Sequence, residues 1–188
     1  MGYDFTMVRT PPSVDARELP NSNGIPGNYR FTTWGMQMTL GALEWADAIH
    51  YERTHTLPAL EVGALDTDDV AAAFASLAAP GGEPVGPTPS AAALDLVRRH
   101  QRACEEVLTR SSLRDGRVGA YKFQSNDGWL VTPEECEVLD RCLRASAAMI
   151  ARDMFTDAGL TAEDGLRWVL GFARYNAVAA EHGGYRVY

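Results

Sequence analysis

Along residues 3–8 the side chains alternate in character, with Tyr3, Phe5 and Met7 on one side and Asp4, Thr6 and Val8 on the other. A period of two is the mark of a half-buried strand. The same alternation recurs over 29–34, where Tyr29, Phe31 and Thr33 share one face and Arg30, Thr32 and Trp34 the other, and it predicts a second strand. A third is expected over 117–124, with Tyr121 and Phe123 two apart, leading into the turn Ser125-Asn126-Asp127-Gly128. Tyr185-Arg186-Val187-Tyr188 is rich in strand formers and suits a last strand paired with 3–8 or 29–33.

Elsewhere the period lengthens to three and four. Over 36–53 the apolar residues fall on two adjacent stripes, Met36-Leu40-Leu43 and Met38-Ala42-Trp45-Ile49, which predicts a helix buried around most of its circumference. Asp66 or Thr67 caps a short helix reaching Ala79, and a further helix runs over about 90–110 with Leu94, Val97, Cys104 and Leu108 inward. Thr132-Pro133-Glu134-Glu135 is the clearest helix start: a capping threonine, a proline whose missing N–H costs nothing there, and a glutamate able to close a capping box. Cys136, Leu139, Leu143, Ala147, Ile150 and Met154 continue that helix to about Phe155. The last helix opens at Thr161, places Leu166, Val169, Leu170, Ala173 and Ala177 inward, and closes at Gly183-Gly184.

Pro, Gly, Ser and Asn interrupt this pattern in two places. Residues 11–27 read as a long surface loop, and 80–90 as a stiff linker inside one domain spanning 1–188. The sum is an α+β domain: four or five amphipathic helices packed on a small, mainly antiparallel sheet of three or four strands.

Composition narrows the picture. With 188 residues, 46% of them hydrophobic, the chain can build a core without disulfide or metal staples. Seventeen basic against twenty-five acidic residues give a net charge of -8 without a basic stripe, which argues against nucleic-acid binding. Cys104, Cys136 and Cys142 form no CxxC pair and read as reduced thiols within helices. The start of the chain lacks the charged and apolar run of a signal peptide, and no apolar stretch approaches a membrane span, so a cytoplasmic protein away from membranes is expected.

Three stretches, 29–36 (YRFTTWGM), 125–136 (SNDGWLVTPEEC) and 181–188 (EHGGYRVY), are similar to a group of small uncharacterised bacterial proteins. The resemblance covers about a sixth of the chain. It implies no particular chemistry, but it draws attention to the same strand ends and turns.

Signatures for nucleotide, dinucleotide, zinc-protease and serine-nucleophile chemistry are missing from the sequence, so no cofactor and no metal is expected. What remains is a set of polar residues in apolar surroundings. Asp47 and His50, three apart on the helix expected over 36–53, form a possible acid/base pair, with Tyr51 beside them to bind substrate. A polar edge of that helix is the plainer explanation. Lys122, the sole lysine, would be a nucleophile or base if buried, and an ordinary strand lysine if exposed. Arg30 and Trp34 on one strand face can hold an anion against an aromatic wall, or simply be exposed. Asn126, Asp127 and Trp129 suit recognition of a polar group, or serve only the turn. His182, just before Gly183-Gly184, is a further catalytic candidate or a helix cap.

Two functions fit these residues. One is a small cofactor-independent enzyme of specialised metabolism that acts on a small polar substrate by positioning and acid/base chemistry, through elimination, isomerisation or ring closure. The other is an acidic binding module, such as an immunity protein or an adaptor for a basic protein partner. Homodimers and heterodimers are both compatible with the sequence.

Overall fold

The structure, a computed structural model, describes residues 2–10, 27–51, 55–79 and 86–188. The loop expected over 11–27, apart from Gly27, and positions 80–85 of the expected linker lie outside the described residues. Over the described residues the fold is α+β, with five α-helices, a four-stranded antiparallel sheet and a two-stranded parallel one. It comprises two compact units, Met1–His55 with Thr109–Tyr188, and Thr56–Leu108.

In the larger unit β1 (Gly2–Met7) pairs antiparallel with β2 (Asn28–Thr32) on one side and β6 (Tyr185–Val187) on the other, and β5 (Trp129–Val131) pairs with β6. Phe5 stands opposite both Tyr29 and Val187, and Trp129 is also opposite Val187, so the period of two places these side chains on a common face. That face is aromatic: the Phe5 ring lies 4.8 Å from Phe31 and 5.0 Å from Tyr185. Asp4 and Arg30 occupy the other face as an exposed ion pair at 3.7 Å.

Three helices complete this unit: α1 (Thr33–Trp45), α4 (Pro133–Ile150), which runs on through a π-helical turn at Ala151–Phe155, and α5 (Ala162–Glu181). The Thr132 capping box forms as expected, with reciprocal bonds between Thr132 and Glu135. The inward stripe of α5 differs from the expected one. Val169, Phe172, Ala173, Asn176 and Ala179 are buried, whereas Leu166 and Leu170 are 37% and 38% exposed. The sheet explains the rotation: Phe172 meets Phe31 and Tyr29 at 5.8 Å each, and Tyr175 meets Tyr185 at 5.2 Å, so aromatic contact sets the helix phase.

Two expected elements end early, for local reasons. The second strand stops at Thr32, whose hydroxyl accepts the Gly35 N–H at 3.0 Å and starts α1. Trp34 is therefore a first-turn helix residue and shares no strand face with Arg30. The helix expected over 36–53 stops at Trp45: the Asp47 N–H donates to Glu44 O and the Ala48 N–H to Leu43 O, both at 2.9 Å, in a Schellman closure with Asp47 at φ 51. Asp47 and His50 consequently share no helix face.

His50 instead lies on a two-residue strand, β3 (Ile49–His50), parallel to β4 (Val118–Gly119). The strand expected over 117–124 reduces to β4, followed by a 3-10 turn at Ala120–Phe123. All four residues of that turn are buried, which one-sided alternation cannot accomplish.

The smaller unit holds α2 (Thr67–Ala78), capped by Asp66, and α3 (Ala91–Leu108). The Asp69 carboxylate accepts the Ser90 N–H at 2.8 Å and the Ser90 hydroxyl at 2.5 Å, which ties the start of one helix to the start of the other. These bonds also hold the Asp69 carboxyl below its ordinary range. Its core is slight: Val70, Ala73, Ala93 and Val97 are buried, while Leu94, Cys104 and Leu108 of the expected inner face are half-buried. Among the described residues no helix is long and apolar enough to cross a membrane.

Candidate functional site

The early end of α1 creates the most functionally suggestive place in the larger unit. Past Asp47 the chain turns into β3, and His50 and Tyr51 come to line a cleft of about 200 Å³ together with Arg114, Asp115 and Arg117. Arg114 and Arg117 flank a two-residue hairpin turn. Their N–H and carbonyl groups exchange bonds at 3.0 and 2.9 Å, and Asp115 and Gly116 between them have φ of 51 and 73. Positive φ at both positions is the type I′ arrangement, for which Asp-Gly is a favoured pair. The turn lines the cleft with two arginines: Arg117 donates to Asp47 at 2.9 Å, and Arg114 Nε lies 3.8 Å from the Asp115 carboxylate.

His50 is oriented from inside the protein. Its Nε2 lies 2.9 Å from the carbonyl oxygen of Ser112. A carbonyl only accepts, so Nε2 carries the hydrogen and Nδ1 is the basic nitrogen of the neutral ring. Ser112 is itself fixed: its N–H and hydroxyl donate to Glu135 Oε1 at 2.5 and 2.7 Å, and its oxygen accepts the Gly119 N–H at 2.8 Å. The other Glu135 oxygen accepts the Thr132 N–H at 2.7 Å and the Lys122 ammonium at 2.7 Å.

Lys122 and Glu135 are both 0% exposed. The Lys122 ammonium also donates to Arg110 O at 2.9 Å and Leu130 O at 2.6 Å, so each of its three hydrogens has a partner. Burial pushes the Lys122 pKa down, and the Glu135 charge opposes the shift. So enclosed, the ammonium has all its hydrogens committed to Glu135 and two backbone carbonyls. The network runs Lys122, Glu135, Ser112, His50, from the dry interior to the cleft.

Tyr51 is largely exposed, yet partial desolvation and the nearby Glu44 carboxylate raise its phenol pKa. Its hydroxyl donates to the Glu44 carboxylate, and the phenol is held neutral.

The remaining expected site residues lie elsewhere. Arg30 sits in its surface pair with Asp4. Trp34 is half-exposed on α1, as is Trp45, eleven positions further along the same helix. Asn126 and Asp127 are exposed in the turn, but Trp129 is buried on β5, its indole donating to Ser125 at 3.0 Å and its ring meeting Tyr121 at 4.8 Å. His182 caps α5, and its carbonyl accepts the Arg9 N–H at 3.1 Å. Beyond it Gly184 is obligatory: a Cβ there would come within 2.1 Å of Val131 O. His55 packs over Tyr121 at 4.5 Å.

His50 and Tyr51 therefore line one cleft and Asp47 is joined to it through Arg117, whereas Arg30, Trp34, Asn126, Asp127, Trp129 and His182 do not line it. Ser112, Arg114 and Arg117 were not singled out from the sequence, although Asp115-Gly116 is a readable hairpin signal. Among the described residues no group of three or more His, Cys, Asp or Glu side chains is arranged to hold a metal. Comparison of the chain with protein-family models, with curated proteins and with solved structures found no match, so the cleft is read from its own chemistry.

Proposed function

We propose that the His50 cleft is the working site of the protein, and that it performs acid/base chemistry on a small polar molecule bearing a carboxylate. The observation that carries this reading is the fixed imidazole: the Nε2 bond to the Ser112 carbonyl orients the ring on a cleft that Tyr51, Arg114 and Arg117 also line. A guanidinium presents a planar fork to a carboxylate, and His50 moves the proton. The volume suits a molecule of a few heavy atoms, below the roughly 300 Å³ at which drug-sized ligand sites begin. Elimination, isomerisation and ring closure all need only this equipment.

The test is a titration of the labelled protein with a panel of small mono- and dicarboxylates, followed by amide and imidazole chemical shifts. Shifts centred on His50, Tyr51 and the 114–117 turn, abolished by Arg114→Ala, support the reading. Absence of any response there across the panel counts against it.

A second reading has its own observation. Trp34 and Trp45 are 54% and 45% exposed on α1, and eleven residues, about three helical turns, bring them to one face. Large aromatic side chains anchor protein interfaces, so an acidic binding module for a basic partner would use this face. Capture of a partner that Trp34→Ala and Trp45→Ala release, with the His50 substitution silent, would favour it.

A further inference from the structure

His100 and Cys104 lie one turn apart on α3, with Cys104 Sγ 3.5 Å from His100 Nε2. Helical Cβ atoms tilt toward the N-terminus, so Cys104 is set over the turn that carries His100. The His100 ring also meets Phe74 edge-on at 6.3 Å and lines a groove of about 250 Å³ with Leu60, Leu96 and Arg99. Cys104 is half-buried.

The two other thiols differ. Cys136 is buried, and burial and Glu135 push its pKa up; its S–H points to the Val131 carbonyl at 3.7 Å. Cys142 is half-buried like Cys104, but burial raises its thiol pKa and its neighbours are the charged Arg141 and Asp47 rather than an imidazole. The thiolate is the reactive form of cysteine, and a base in contact is what generates it near neutral pH.

We propose that His100 and Cys104 form a reactive thiol site that takes up small disulfides covalently. His100 Nε2 accepts the thiol proton as Cys104 Sγ attacks one sulfur of the disulfide. A new S–S bond forms to Cys104, the original S–S bond breaks, and the second sulfur leaves as a thiolate that recovers the proton from His100. The incoming disulfide is the oxidant, and one thiol is released for each mixed disulfide formed. His100 and Ala103 line the groove, and Cys104 follows directly on the same helix. This site belongs to the Thr56–Leu108 unit and stands independently of the His50 cleft.

The test uses the full chain and the aromatic disulfide 5,5′-dithiobis(2-nitrobenzoate), with peptide mass spectrometry to resolve labelling at Cys104, Cys142 and Cys136 over time. Cys104 should react about tenfold faster than Cys142, with Cys136 unlabelled in the native protein, and His100→Gln should slow Cys104 by about tenfold while leaving Cys142 unchanged. Local unfolding of α3 would expose Cys104 and accelerate it, so loss of structure cannot imitate the expected slowing. Comparable rates at Cys104 and Cys142, or a His100→Gln protein that labels Cys104 as fast as wild type or faster, would overturn the proposal.

Discussion

Two ion pairs flank the His50 cleft, and they do opposite work. Lys122 and Glu135 lie wholly inside, at 2.7 Å, with every ammonium hydrogen and both carboxylate oxygens engaged. Asp47 and Arg117 lie outside, at 2.9 Å, with side chains 74% and 43% exposed. Distance alone does not separate them; solvent does. Inside, the charges cannot fall back on water, so the pair dictates geometry, and through Ser112 it dictates the geometry of His50. Outside, water screens the attraction and either partner can turn to something else, including a ligand.

Breaking the inner pair should have the largest effect. Lys122→Ala leaves the Glu135 charge buried and should cost about 3–5 kcal/mol, read from urea unfolding monitored by circular dichroism. The double replacement Lys122→Met with Glu135→Leu should recover much of that loss, yet release Ser112 and so loosen His50. A double variant no more stable than Lys122→Ala would show that shape rather than charge is at stake.

The next effect is one of pH. Burial raises the phenols of Tyr29, Tyr175 and Tyr185 and the thiol of Cys136 above their ordinary values. The folded state therefore keeps these protons where the unfolded chain gives them up. Their stabilising contribution is complete below the ordinary pKa of 9.0 for the thiol and 10.0 for the phenols, and is lost as pH rises beyond it. Lys122 acts in the opposite sense, since its lowered pKa means that the folded state binds its proton less well. With Tyr51 and Cys142 raised in the same sense as these four, the balance against Lys122 should give net alkaline destabilisation. A spectrophotometric titration should show these three of the seven tyrosines ionising only as the protein unfolds. Ionisation of all seven in one reversible step near pH 10 would contradict the assignment.

Smaller still, Thr132→Ala removes the cap of α4 and should cost about 1 kcal/mol. The Thr132 N–H remains bonded to Glu135, so His50 should keep its orientation. The outer pair comes last: Asp47→Asn should change stability by about 0.5 kcal/mol or less, while altering any ligand response at Arg117. A stability loss near that of Lys122→Ala would erase the distinction between the two pairs.

The same contrast explains what could be read from the sequence. Both α1 and α5 end in a left-handed residue with a bond reaching back five positions, Ala48 to Leu43 and Gly184 to Ala179, yet only one end was legible. Gly183-Gly184 announces the end of α5, whereas α1 turns at Asp47, a residue that enters left-handed backbone without advertising it, within an apolar period that continues to Ile49. The helix expected over 36–53 was too long for this reason, and Asp47 is linked to the His50 cleft through its ion pair with Arg117 rather than through helical spacing.

Glu135 was visible as the far end of a capping box, which is a local pattern. Its second role depends on Lys122 approaching from thirteen residues away, and no local pattern carries that information. Leu166 and Leu170 were misplaced because periodicity specifies an apolar stripe but not which of two adjacent stripes wins. The aromatic face of the sheet decided in favour of Phe172 and Tyr175.

The most direct test of the account is the protonation of His50, observed in a long-range ¹H–¹⁵N spectrum at a pH where the ring is neutral. The Ser112 carbonyl predicts a single tautomer with the hydrogen on Nε2, retained in Asp47→Asn and lost toward a mixture in the Lys122→Met, Glu135→Leu protein. A wild-type ring protonated on Nδ1, or one exchanging freely between both forms, would contradict the claim that the buried pair sets the chemistry of the cleft.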